Sequence, residues 1–300
     1  MRIITDYNQH NISEPIGAAL GYFDGFHIGH MKIIDSVLDS PYAPALITFS
    51  QRPVDVIRGE GNITEKIMSA SDKLEFLEDA GIQYLFIYDF SEEMMATSPE
   101  DFVREYLVGN NVRYVCAGFN YTFGAQGKGT TDTLKELCAT YGIRADICPP
   151  VKCDGVPVSS SLIRKSVQEG NVSFAAKLLG RPFYLKGTVV EGRRIGRTIG
   201  FPTANTVVEE GLIVPGWGVY YTVTEVHGRK YRSITNIGNN PTVSGETVTI
   251  ETHILDFGED IYGETIRVEF MELIRQEKKF ASLDELKDQL KKDEAFARSR

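Results

Sequence analysis

Two histidines three residues apart open the chemical reading. They lie in Gly21-Tyr22-Phe23-Asp24-Gly25-Phe26-His27-Ile28-Gly29-His30, after an apolar run and at the start of a helical pattern. Three glycines let the backbone approach a ligand closely. Unpaired N–H groups at a helix start welcome a phosphate, and His27 and His30 project from one side if the turn is helical. Imidazoles there can donate to phosphate oxygens and stabilise charge as a nucleophile attacks the alpha-phosphorus of ATP. The segment is neither a Walker A loop nor a GxGxxG fingerprint. A metal site lacks a third ligand at useful spacing, and a ligand-free glycine turn remains an alternative. Farther on, Ser159-Ser160-Ser161-Leu162-Ile163-Arg164 opens a helix. Ser160 there can cap N–H groups or hold phosphate, and Arg164 can neutralise a triphosphate or simply face solvent.

A second constellation lies in Gly196-Arg197-Thr198-Ile199-Gly200-Phe201-Pro202-Thr203-Ala204-Asn205. Thr203 and Asn205 offer neutral oxygens spaced by two, on one side of an extended segment. Such oxygens suit magnesium whose other ligands are phosphates and water, although a structured loop would look the same. Glu251 sits in an alternating run, Thr249 to Phe257, where it can be a base toward a hydroxyl or a solvent-facing strand residue.

The elements that position these groups follow from periodicity. Apolar runs at Ile16 to Leu20, Ala45 to Phe49, Tyr84 to Tyr88, Val112 to Ala117 and Ala145 to Cys148 predict strands. Helical patterns run from near His30 to Leu38, and over Glu65 to Ala80, Asp101 to Leu107 and Leu134 to Tyr141. This α/β alternation predicts a mostly parallel sheet covered on both faces. After Arg181-Pro182 come strands at Tyr184 to Val190, Val219 to Val226, Tyr231 to Ile237, Val248 to Leu255 and Ile266 to Phe270, punctuated by Gly and Pro. They predict a small antiparallel barrel, with a domain boundary near 182. A capped helix from Ser282 to Phe296 closes the chain, and Trp217 is expected to pack against the barrel.

The 300 residues carry a formal charge of −9 and 42% hydrophobic residues, enough for two ordinary cores. The acidic balance argues against nucleic acid as a partner. Cys116, Cys138, Cys148 and Cys153 fit neither a zinc ribbon nor a disulfide framework and read as reduced thiols. No apolar run is long enough to span a bilayer and the start lacks a signal-peptide pattern, so a cytoplasmic monomer or weak homo-oligomer is expected.

Asp24 to His30 resembles the HxGH signature of nucleotidylyltransferases, and the Gly-x-Phe-Asp-Gly lead-in is similar to bacterial bifunctional riboflavin kinase/FAD synthetases. The resemblance implies a Rossmann-like adenylyltransferase domain over 1–182 and a six-stranded riboflavin kinase barrel with a terminal helix over 183–300. Riboflavin and ATP would give FMN, and FMN with ATP would give FAD and pyrophosphate. It implies roles for Gly21, Phe23, Asp24, His27, Gly29, His30, Phe49, Asn120, Ser160 and Arg164 toward ATP and FMN in the first domain. In the second it implies Mg-ATP on Thr203 and Asn205, a flap of Gly187 and Gly192 to Gly196, Glu251 as base, and Arg275 and Phe280 closing over the flavin. Asp260, Tyr262 and Gly263 resemble a family turn. The family often carries Arg where Thr122 stands and a basic residue where Leu162 stands, and Lys128 is the nearby cation that could compensate. The alternative reading is a kinase whose first domain is inactive or redox-restricted.

Overall fold

Strands β1 (Arg2–Ile4), β2 (Ile16–Leu20), β3 (Ala43–Phe49), β4 (Tyr84–Tyr88), β5 (Val112–Gly118) and β6 (Arg144–Cys148) form one parallel sheet in the order β1-β4-β3-β2-β5-β6. The computed structural model describes residues 1–6, 12–59, 64–192, 196, 199–242 and 245–300. Alternate residues of the central strands feed two separate cores. Leu20, Ile47, Phe86 and Val115 pack on one face, and Ala19, Leu46, Leu85 and Cys116 on the other. Burial on both faces explains why these strands read as continuous apolar runs. The strand order reverses between β2 and β5, which opens a crevice beyond their carboxyl ends.

Helices α1 (Ile28–Leu38), α2 (Pro53–Arg58), α3 (Ala70–Asp79), α4 (Glu92–Ala96), α5 (Pro99–Phe102) and α6 (Thr131–Thr140) accompany the sheet. The helix expected from Glu65 starts at Ala70, because Ser69 caps it by accepting from Asp72 N at 3.0 Å. The helix expected at Asp101 starts earlier, with Ser98 as cap, and α5 runs into a π-turn over Val103–Val108.

A hairpin of β7 (Lys152–Cys153) and β8 (Val156–Pro157) precedes α7 (Ser160–Gln168) and α8 (Val172–Leu179). Strands β9 (Phe183–Val190), β10 (Ala204–Val208), β11 (Gly218–Val226), β12 (Arg229–Thr242), β13 (Gly245–Ile254) and β14 (Thr265–Arg275) then close an antiparallel barrel in the order β9-β10-β13-β12-β11-β14. Its sixth strand, β10, lies on the Ala204-Asn205 motif itself, where the local residue pattern predicts only a loop. The interior carries Phe183, Ile237, Val268 and Phe270, with a chain of buried hydroxyls from Thr222, Thr224, Ser233, Thr235 and Thr252. Each hydroxyl has a partner, as burial requires. Helix α9 (Leu283–Arg298) closes the chain, and Ser282 accepts from Glu285 N at 3.2 Å as its cap. Trp217 is 49% exposed, contrary to the expected packing.

The chain separates into compact units at Ser159/Ser160, whereas composition placed a boundary near 182. The reason is that α7 and α8 fold with the barrel. Gly216 N donates to Val167 O at 3.0 Å, Tyr220 donates to Gly216 O, and α8 packs on β9 and β14.

Candidate active sites

In the first unit, the turn after β2 is built by unusual backbone geometry. Phe23, Gly25 and Phe26 have φ of 55°, 84° and 42°. The left-handed values reverse the chain within a few residues, and the nearly inaccessible Phe23 and Phe26 rings hold the strained turn in place. Gly21 N donates to Ile47 O at 3.2 Å, so pairing with β3 continues one residue past β2. Buried Asp24 accepts from Ile67 N at 3.0 Å, which ties the turn to the segment before α3.

His27 is the N-cap of α1, and its Nδ1 accepts from His30 N at 3.1 Å. In the neutral ring this places the proton on Nε2, which becomes a donor. The His27 and His30 rings stack with centroids 3.5 Å apart, so the sequence spacing does bring them together. Gly29 permits the arrangement: a Cβ there would lie 3.2 Å from the His27 ring. His30 Nδ1 is buried with no hydrogen-bond partner among the described residues. Burial first, then the charges of His27 and Lys73, hold the His30 imidazole well below its ordinary range. The first turn of α1 carries no carboxylate to compete with an anion.

Behind this turn lies a cavity of about 240 Å³, walled by Tyr22, Phe23, Phe49, Lys73, Leu85 and Ile87. Phe49 ends β3 and meets the Phe90 ring edge-on at 5.2 Å. Lys73 is a site-wall cation that the sequence reading missed. Its Nζ donates to Tyr22 O at 2.7 Å and to Thr48 Oγ1 at 3.3 Å. The available signal was its position four residues before Leu77, on the buried side of α3. Asn120 is exposed just beyond the end of β5, across the sheet reversal from the β2 turn. Thr122 and Lys128 are exposed as well. Ser160 begins α7 and Arg164 is buried, so both belong to the second compact unit.

In the barrel, Asn205 on β10 pairs in register with Glu251 on β13, and Glu251 pairs with Asn236 on β12. Their neighbour Thr252 points inward among the hydroxyls, so strand alternation turns Asn205, Glu251 and Asn236 to the outer face. Asn236 was not anticipated, because only the register reveals it as the partner opposite Glu251. Thr203 lies ahead of β10, where alternation has not begun. It lines a cavity of about 410 Å³ with Val189, Ala204, Thr252, Phe257 and Tyr262. The Asp260–Gly263 turn borders it, with Tyr262 N donating to Asp260 Oδ1 at 3.1 Å and Gly263 at φ 80°. His253 is structural: its ring contacts Pro202 O through Nδ1 at 2.7 Å and stands edge-on to Phe201, steadying the Pro-Thr-Ala-Asn segment.

Gly196 O accepts from Phe201 N at 2.8 Å, and a side chain at Gly196 would strike that strap. A side chain at Gly192 would likewise meet the Asn205 amide, so the segment passes close over that residue. Residues 193–195, Arg197 and Thr198 lie outside the described residues. Gly187 is needed for close approach of β10, since a Cβ would meet the Val207 carbonyl. Arg275 grips Asp293 of α9, with Nε and Nη2 within 3.2 Å of its oxygens, while its guanidinium lies 5.7 Å from the Phe280 centroid.

Comparisons with known proteins also show two regions in the chain. A family model described as FAD synthetase matches residues 9–162, and one described as riboflavin kinase matches 179–300. The bifunctional riboflavin kinase/FMN adenylyltransferase of Bacillus subtilis is 37% identical over 93% of this chain and 90% of its own length. That of Listeria monocytogenes is 34% identical over 94% and 91%, and that of Escherichia coli 32% over 96% and 95%. A crystal structure described as a macrolide-efflux protein from Streptococcus pneumoniae superposes with a TM-score of 0.92, at 35% identity and 99% coverage of both chains. Among the described residues no helix is long and apolar enough to cross a membrane. With both family models in order along one chain and relatives aligned over nearly their whole length, this chain belongs to the bifunctional riboflavin kinase/FMN adenylyltransferases, which make FMN and then FAD.

Proposed function

We propose that the barrel, within residues 183–300, phosphorylates riboflavin, and that residues 1–182 carry adenylyl transfer at the His27–His30 turn. The observation that carries the second assignment is the stacked histidine pair at the start of α1, beside the reversal between β2 and β5. Nε2–H of His27 and the first N–H groups of α1 donate to ATP phosphate oxygens and stabilise charge in the transition state. The FMN phosphate is the nucleophile and is already anionic at neutral pH, so no strong base is required. The cavity by Phe49 and Tyr22 suits the flavin ring, and Asn120, just past β5 beside the strand-order reversal, is assigned to the nucleotide. For Ser160 and Arg164 the support is the family resemblance.

In the barrel, Glu251 orients the ribityl hydroxyl and accepts its proton, with Asn205 beside it in register. The larger cavity, bounded by Thr203 and the Phe257–Tyr262 turn, takes ATP. Thr203 and Asn205 are neutral oxygen donors too few to hold a cation alone, which fits magnesium arriving with nucleotide. Bound there, magnesium would neutralise phosphate charge. Gly187 and Gly196 keep the segments around these groups close, and Phe280 offers a ring to the flavin. The setting we propose is cytoplasmic, for a monomer or weak homo-oligomer without nucleic-acid partners; the free thiols and the acidic charge support it.

The test is incubation of the full chain with riboflavin, ATP and magnesium, followed by chromatographic separation of riboflavin, FMN and FAD. His30→Ala is expected to stop at FMN. Asn205→Ala is expected to weaken Mg-ATP binding and slow FMN formation while leaving FAD formation from supplied FMN intact. FAD made by His30→Ala at the wild-type rate removes the histidine turn from the reaction.

A further inference from the structure

Lys66 and Lys73 both line the cavity of the first site. Of these two, Lys73 reaches the β2 turn. It projects from α3 into the cavity wall and makes two hydrogen bonds, to Tyr22 O at 2.7 Å and Thr48 Oγ1 at 3.3 Å. Thr48 Oγ1 also donates to Tyr22 O at 3.1 Å, so that single carbonyl receives two bonds. Tyr22 is the residue immediately before the left-handed Phe23, where the chain leaves β2 for the histidines. The ammonium also lies 5.0 Å from the Tyr22 ring centroid.

We propose that Lys73 is a positioning residue for adenylyl transfer: its ammonium clamps the Tyr22 carbonyl to the end of β3 and so fixes the turn that presents His27 and His30. The proposal rests on the assignment of adenylyl transfer to that turn. A lysine set into the cavity wall is a demanding choice for a prop, since an amide or hydroxyl could bond the same carbonyl without carrying a charge out of water. A cation adds two effects. An ammonium has three protons, and two are engaged by Tyr22 and Thr48, which leaves one for a ligand in the cavity. Its charge also acts on His30 and helps keep that imidazole neutral, a donor or acceptor toward phosphate. The ionisable groups around it are Asp24 and Tyr22 on the turn, His30 on α1, and Lys66 ahead of α3. Strands β3 and β4 contribute Thr48, Phe49, Leu85 and Ile87 to the same wall, none of which titrates. Burial lowers the Lys73 ammonium to about 8, with Asp24 opposing the shift. The clamp therefore weakens just above physiological pH, where an exposed lysine would remain charged.

FAD formation from FMN and ATP by the full chain, followed from pH 6.5 to 10, tests this, with kinase activity of the same samples as the internal control. The wild type should lose adenylyl-transfer rate above pH 8, by about tenfold per unit where one proton governs the step. Lys73→Arg keeps its charge throughout this range and should shift that limb upward by more than one unit. Lys73→Met should be slower by about 10- to 100-fold at pH 7.5, the scale of a misplaced catalytic group, and should lack the limb. Neither variant should change FMN formation. Circular dichroism identifies a variant that has failed to fold, and the wild-type and Lys73→Arg profiles then decide. A wild-type profile flat to pH 10, an alkaline limb unmoved in Lys73→Arg, or a Lys73→Met enzyme as fast as wild type overturns the proposal. Loss of FAD formation in His30→Ala shows separately that the turn itself is the reaction site.

Discussion

The surroundings of His30 hold its imidazole well below the ordinary range, which under the proposed assignment makes it a neutral partner for a phosphate. A neutral imidazole gives a directed hydrogen bond, while positive character comes from the α1 N–H groups and Lys73. The same fact fixes a pH dependence. An unfolded histidine takes up its proton near 6.5, and the folded His30 does so only well below that. The stabilisation is complete above 6.5 and is lost as pH falls toward the folded value, with a limiting slope of about 1.4 kcal/mol per unit. Urea unfolding of the first unit should therefore strengthen from pH 5 to 7, and His30→Phe should flatten that rise. In the barrel, Glu251→Gln should depress FMN formation by about 10²- to 10⁴-fold, the range for a positioned acid or base. Steady-state assays should find FAD formation from FMN unchanged in that variant, and full kinase activity would remove Glu251 from the role.

Between elements, the most exacting contact is the one that seats α9. Asp293 is 1% exposed on that helix and is met by Arg275 from β14 and by Gln289 Nε2 at 2.9 Å. A buried carboxylate that loses its partner is left uncompensated, at a cost of about 3–5 kcal/mol. Arg275→Ala and Asp293→Ala should each lower barrel stability on this scale in chemical denaturation. Because the two groups form one unit, the double variant should cost little more than either single change. Additive losses would show that the two side chains act apart, and would return Arg275 to a role centred on the flavin.

At the scale of the whole molecule, the chain divides into two compact units at Ser159/Ser160. The barrel unit therefore begins before the barrel. Helices α7 and α8 bury Ile163, Val167, Leu178 and Leu179, and α8 packs on β14 and β9. Each such side chain contributes roughly 1.5–3 kcal/mol when removed from water. Residues 160–300 expressed alone should therefore unfold at higher urea than residues 183–300, and should phosphorylate riboflavin at the rate of the full chain. Equal midpoints for the two fragments would show that α7 and α8 add nothing to the barrel.

Periodicity was enough to read five of the six sheet strands, the barrel class and the capped terminal helix, because burial on one or both faces is written directly into local residue order, whereas β1 spans only Arg2–Ile4 and is too short for a pattern. Spacing was enough to pair His27 with His30, since three residues span one helical turn. Other features depend on contacts distant in the chain. Lys73 meets Tyr22 and Thr48 only because the fold brings α3 to partners 51 and 25 positions away in the chain, and Asn236 meets Glu251 only through the register of β12 on β13. Strand β10 hid in a segment that reads as a glycine–proline loop, because its pairing is supplied by β9 and β13 and not by its own alternation. The boundary at 182 followed composition, which changes at Arg181-Pro182. The compact division lies at Ser159/Ser160 because α8 packs on β9 and β14, which come later in the chain, and α7 packs on α8.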